Sequence, residues 1–204
     1  MAYANRVIPT GVIVATPQRG TLLGNRGLLH SPGGAVRRAW NGTRWIVCAL
    51  DFKGRKRVVM SPGLYTELFF LDEATAFAAG HRPCAECRRD RFNAFRRAWL
   101  AVHGVLPTAP QIDARLHAER IGSDQKQQRF VAKLADLPDG VFVRRDDWGG
   151  HEFLLWHDAL LLWTPGGYTE RREFLRAAEV EVLTPASTVS VIRAGYVPDV
   201  HPSA

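Results

Sequence analysis

The feature that most constrains this chain is a closely spaced pair of cysteines, Cys84 and Cys87, set between two segments with helical signatures. Asp72 stands where an N-cap belongs, the alanine-rich run from Glu73 to Ala79 follows it, and Gly80 occupies the place of a left-handed stop. After the turn His81-Arg82-Pro83 a second helix is expected, in which Phe92, Phe95 and Trp99 fall at i, i+3 and i+7 and form one apolar stripe. Arg88, Arg89, Arg91, Arg96 and Arg97 take its remaining faces. The two cysteines therefore lie at or just before the first turn of a basic helix. There the unpaired amides, the positive end of the helix dipole and the neighbouring guanidiniums all favour thiolate over thiol. Thiolates are zinc ligands, which makes Cys84 and Cys87 candidate metal ligands.

The run LFFLDEATAFAAGHRPCAECRRD, residues 68–90, resembles the second half of the zinc-binding domain of the Ada family of DNA-alkylation-repair proteins and of Ada-like modules attached to nucleases. The family shows a strand, a short alanine-rich helix and then Gly-aromatic-Arg-Pro-Cys-x-x-Cys-x-x-Asp, with His81 here replacing the usual aromatic. The resemblance implies that Cys84 and Cys87 are the second ligand pair of a structural zinc. It further implies a first cysteine pair from the preceding loop, one member of which is a methyl acceptor. That loop reads KGRKRVVMSPGLY and has no cysteine, so methyl-phosphotriester repair by this route is not expected.

The remaining ligands must come from elsewhere. In the expected strand Arg44 to Phe52, Cys48 shares the more apolar face with Ile46, Leu50 and Phe52. Cys48 is open to two readings, a small core residue or a third zinc ligand that the strand-before-helix order of the Ada-like fold would bring to Cys84. His30, one hairpin away, is the candidate fourth ligand. Zinc is the expected cofactor.

The chain has 27 basic and 20 acidic residues, a net charge of +7, and only four lysines, Lys53, Lys56, Lys126 and Lys133. Arginine suits phosphate contacts and guanine edges, so nucleic acid, DNA in particular, is the expected partner. Arg55, Lys56 and Arg57 on a hairpin, with Arg82, Arg88, Arg89, Arg91 and Arg96 around the cysteines, are the candidate phosphate contacts. A solvated basic hairpin would read the same way.

The expected fold class is α+β. Residues 1–23 read as an N-terminal arm. Residues 24–104 read as a β-meander plus helices in an Ada-like zinc and nucleic-acid-binding module, with Asn41-Gly42 and Lys53-Gly54 as hairpin turns. The latter turn would set Asp51 opposite Lys56. Residues 105–128 form a linker and a helix, Gln111 to Ile121. On that helix Asp113 and His117 are one turn apart with Glu119 nearby, a pattern open to general-base chemistry or to a plain surface salt bridge. Residues 129–204 alternate apolar runs with turn signals and read as a β-rich module, a small barrel or curled sheet, closed by a short helix capped by Ser187.

No window approaches the ~18 apolar residues of a membrane span, and a soluble cytoplasmic protein is expected. P-loop, dinucleotide, GxSxG and HExxH motifs are missing, which argues against a nucleotide-driven motor, a Rossmann dehydrogenase or a serine hydrolase. The leading expectation is a zinc-stabilised DNA-binding protein of repair or processing. The alternatives are a nucleic-acid-acting enzyme using Asp113, His117 and Glu119, and a metal-free interaction module.

Overall fold

The computed structural model describes residues 2–55, 58–124 and 127–204. Two six-stranded sheets and four α-helices make it an α+β protein. The first sheet contains β1 (Ala4–Val7), β2 (Ile13–Ala15), β3 (Leu22–Asn25), β4 (Ile46–Cys48), β5 (Leu68–Phe70) and β6 (Arg82–Pro83), in the order β2-β1-β5-β3-β4-β6. β1 runs parallel to β5 and β6 parallel to β4; the other pairings are antiparallel. The N-terminal segment thus supplies two strands, β1 and β2, to the first sheet. Asn5 and Val7 alternate inward, and β1 buries them against β5.

Between β3 and β4 the expected pair of strands shrinks to a single bridge, His30 with Val36, because Gly27, Pro32, Gly33 and Gly34 break the ladder. Lys56 and Arg57, and with them the Asp51 to Lys56 pairing, lie outside the described residues.

The helices follow their local signals. Asp72 caps α1 (Glu73–Ala78) by accepting the Thr75 N–H at 2.8 Å, and Gly80 follows at φ 82°. α2 (Arg89–His103) buries Phe92, Phe95 and Trp99 and stops at Gly104, φ 72°. α3 (Ala109–Arg120) starts two residues before the expected position, with Pro110 in its first turn, and buries Ile112 and Leu116. α4 (Ala186–Arg193) begins after Pro185, so Ser187 lies inside its first turn and is not its cap.

The second sheet contains β7 (Phe130–Lys133), β8 (Phe142–Arg144), β9 (Glu152–Trp156), β10 (Ala159–Thr164), β11 (Gly167–Arg172) and β12 (Glu179–Val182), in the order β11-β10-β9-β8-β12-β7. It is an open antiparallel sheet, not a closed barrel. Its β9–β10 hairpin turns on His157 and Asp158, both at positive φ, as a two-residue turn that matches strand twist requires.

Although the second sheet is its own β-rich unit, the core is continuous. Val7 and Phe70 of the first sheet, Phe77, Phe95 and Ile112 of the helices, and Val143, Phe153 and Val182 of the second sheet belong to one apolar cluster. Two buried carboxylates of the α1 start add polar ties. Asp72 accepts from Tyr168 Oη at 2.7 Å and the His201 N–H at 3.0 Å. Glu73 accepts from Tyr196 Oη at 2.9 Å, the Asp199 N–H at 3.0 Å and the guanidiniums of Arg88 and Arg91. Among the described residues no helix is long and apolar enough to cross a membrane.

Candidate metal centre

The parallel register of β4 and β6 assembles the site. Ile46 lies opposite Arg82 and Val47 opposite Pro83, and the Cys84 N–H donates to the Val47 carbonyl at 2.9 Å. The residue after each of these partners is a cysteine, so Cys48 and Cys84 arrive side by side. The turn over residues 85–88 then returns Cys87 to them. The three Sγ atoms all lie within 4.8 Å of one another. Thiolates sharing one zinc at ~2.3 Å stand about 3.8 Å apart, so a small contraction closes the three sulfurs on an ion. The three cysteines are close enough to bind a metal ion.

The electrostatics suit a cation. The Cys48 thiol hydrogen bond, first, and the Cys87 and Glu86 amides pull the Cys84 thiol down to about 5 against the opposing effect of burial. The Glu86 N–H stands 3.5 Å from Cys84 Sγ. Cys87 is lowered chiefly by Cys48 and then by the Ala49 amide, while Cys48, donor to both, is raised. Soft divalent ions take cysteine as thiolate, so a centre that lowers two of its three thiols suits such an ion.

All three cysteines line a cavity of about 730 Å³. Its wall includes apolar Ile46, Phe52 and Phe69, and also the buried Glu67. Glu67 Oε2 accepts the Met60 N–H at 2.7 Å, whereas its Oε1 has no partner. Nothing in the string TELFF distinguishes this carboxylate as buried.

The other candidate residues go elsewhere. His30 is buried away from the cysteines: Thr66 Oγ1 lies 2.6 Å from its Nδ1 and the Ser61 carbonyl 3.3 Å from its Nε2. With the Leu29 N–H donating to the Thr66 hydroxyl at 2.8 Å, Thr66 donates to Nδ1 and Nε2–H donates to Ser61, so His30 ties two loops and offers no free nitrogen to a metal.

Asp113, His117 and Glu119 do not converge. Asp113 is buried and takes both Arg82 Nε at 2.9 Å and Nη2 at 2.8 Å. Glu119 receives Arg115, the Ser187 N–H at 2.9 Å and Ser187 Oγ, holding the start of α4. His117 packs edge-on against Trp40 and Trp45, and burial together with Arg120 lowers its pKa. Alternate helix positions point the three groups at three different neighbours.

Most of the expected basic residues are engaged by other groups of the protein. Arg82 is bound to Asp113, Arg88 to Glu73 and Asp199, and Arg91 to Glu73. Arg96 donates to the Pro107 carbonyl at 2.6 Å and Arg55 pairs with Glu86 at 2.7 Å. Of the candidate phosphate contacts on described residues, Arg89 alone stays exposed without an ion pair, while Lys56 and Arg57 lie outside the described residues. Exposed arginines without ion pairs also occur between β3 and β4, at Arg37, Arg38 and Arg44.

Comparison with protein-family models, with curated proteins and with solved structures found no match to this chain.

Proposed function

We propose that this is a zinc protein in which Cys48, Cys84 and Cys87 hold the ion as thiolates and the fourth coordination position opens into the adjoining cavity. The observation that carries this is the mutual approach of three sulfurs to within 4.8 Å on the wall of a space of about 730 Å³. Structural zinc sites are closed by four protein ligands, whereas sites that bind or activate a ligand keep one position open. Glu67 Oε1, buried and unpartnered in the same wall, supports a ligand that brings a hydrogen-bond donor. The reading keeps the metal chemistry that the GHRPCAEC resemblance implies and drops its first cysteine pair.

Elemental analysis of the purified chain should find one zinc, lost in both Cys48→Ser and Cys84→Ser. Cobalt substituted for zinc should give a visible spectrum that changes on adding imidazole or cyanide. A chain without metal, or a cobalt spectrum indifferent to every added ligand, would refute the open centre.

A second reading, nucleic-acid binding with DNA first, is favoured by the net charge of +7 and by Arg37, Arg38 and Arg44, which have no acidic partner. These residues, rather than the α2 arginines, would make the phosphate contacts. Fluorescence anisotropy with single- and double-stranded oligonucleotides should show binding that weakens steeply with salt. Binding indifferent to salt, or no binding, would remove this reading.

A further inference from the structure

Behind the first sheet, on the side of β4 away from the cysteines, two arginines are buried without a counter-charge. Arg26 is 1% exposed and Arg120 2% exposed. Both guanidiniums lie over the Trp45 ring, Arg120 Cζ at 3.7 Å and Arg26 Cζ at 4.2 Å from its centroid. Arg26 donates from Nε to His81 Nε2 at 3.2 Å and from Nη1 to the Gly11 carbonyl at 2.8 Å; its Nη2 has no partner. Arg120 donates to the Gly80 and Thr43 carbonyls, each at 2.6 Å, and its Nε has no partner. Neither forms an ion pair. Asp113 is already taken in a bidentate grip by Arg82, so three buried guanidiniums share one carboxylate.

That imbalance calls for an anion. A buried charge without a partner is expensive, and carbonyl oxygens and an indole face offset only part of the penalty. Burial lowers both guanidiniums to about 9; at Arg120 the Arg26 charge adds to the lowering and Asp113, already gripped by Arg82, offsets only part of it. Arginine does not escape by losing its proton, and so it keeps the demand.

Arg26, whose Nη2 is unpartnered, lines a cavity of about 480 Å³, of a size that holds a small ligand. Arg37 and Arg38 stand on its rim and Trp40 and Val36 add an apolar wall. Thr10, whose buried hydroxyl also has no partner, lines it too.

We propose that this cavity binds the phosphomonoester of a nucleotide, with the phosphate held by Arg26 and Arg120 behind an Arg37–Arg38 rim and the base lying on the Trp40 side. A phosphomonoester carries close to two negative charges at neutral pH and matches two unpaired guanidiniums, where a carboxylate or an internal phosphodiester brings one. Arginine forks bind phosphate bidentately, and an indole at the mouth offers a stacking face. The same group is presented by a free mononucleotide and by the 5′ end of a strand. In the second case the site deepens the nucleic-acid reading; in the first it stands without it.

The test is isothermal titration calorimetry on the zinc-loaded full chain with inorganic phosphate, adenosine, adenosine 5′-monophosphate, and one short oligonucleotide with and without its 5′-phosphate. Adenosine monophosphate or the 5′-phosphorylated strand should bind at least about tenfold more tightly than its phosphate-free counterpart, and Arg37→Ala/Arg38→Ala should weaken that binding about tenfold at an unchanged melting temperature. Arg26→Lys, which keeps charge but loses the fork, should weaken it further; the rim variant carries the test if that protein does not fold. Mononucleotide binding without strand binding would leave the pocket standing and remove the nucleic-acid reading. Strand binding indifferent to the 5′-phosphate, with neither phosphate nor mononucleotide bound, would overturn the pocket and leave the nucleic-acid reading intact. Absence of binding by every probe overturns the pocket outright.

Discussion

The arginines of α2 and those around Trp45 are drawn from the same composition and meet opposite fates. Arg88 and Arg91 close on Glu73, which is fully buried, and Arg82 closes on Asp113. Arg26 and Arg120 are as deeply buried as Arg82 but have no carboxylate. A basic stretch of sequence is therefore no guide to a basic surface. What matters is whether the fold delivers an acid to each arginine, as it does to Arg88 and Arg91 but not to Arg89.

The contrast is most severely strained by removing one acid. Asp113→Ala should leave Arg82 as a third unpaired buried cation and lower stability by about 3–5 kcal/mol in urea unfolding. The double replacement Arg82→Met/Asp113→Leu should recover most of that loss. A single variant costing under about 1 kcal/mol would mean that water reaches Arg82, and the distinction between the two groups would collapse.

Acid should probe the Trp45 side next. His81 is wholly buried and accepts from Arg26 through Nε2, and burial first, then Arg26 and Arg120, hold its pKa well below 6.5. The unfolded chain protonates this histidine near pH 6.5 and the folded chain does not. Its contribution to stability is thus complete above that pH and is lost as pH falls toward the depressed folded value, by about 1.4 kcal/mol per unit. Urea titrations at descending pH should show that slope, and His81→Gln should flatten it. An unchanged slope in the variant would assign the acid sensitivity to other groups.

If nucleic acid binds, Arg37→Ala and Arg38→Ala should each reduce the logarithmic salt slope by about 1 while Arg88→Ala leaves it unaltered. The reverse pattern would restore α2 as the contact surface. The smallest effect belongs to Arg55→Ala. Its pair with Glu86 is about half exposed on both sides, and the melting temperature should barely move, with a change under about 0.5 kcal/mol.

What could be read in advance follows the range of each interaction. The Phe92, Phe95, Trp99 stripe, the Asp72 cap and the stops at Gly80 and Gly104 are local, and each is in place. Cys84 and Cys87 were legible because only two residues separate them. Cys48 was legible only as one of two readings, a core residue or a third ligand, because its approach depends on a parallel pairing of β4 with a two-residue β6, a register that no periodicity announces. The fate of the arginines was hidden for the same reason. Glu73 lies 15 residues from Arg88, and Asp199 lies 111 residues away. His30 looked like a ligand until Thr66, 36 residues on, satisfied it.

The clasp of residues 196–201 on Asp72 and Glu73 has a consequence for how the molecule is made. The two acids at the head of α1 wait for partners as many as 129 positions downstream, so a ribosome must add all of that intervening chain before those charges can be sealed. The residues that emerge before it can collapse but cannot lock. Residues 196–201 act as a latch, and the final state is reached only when they swing shut after synthesis has passed them.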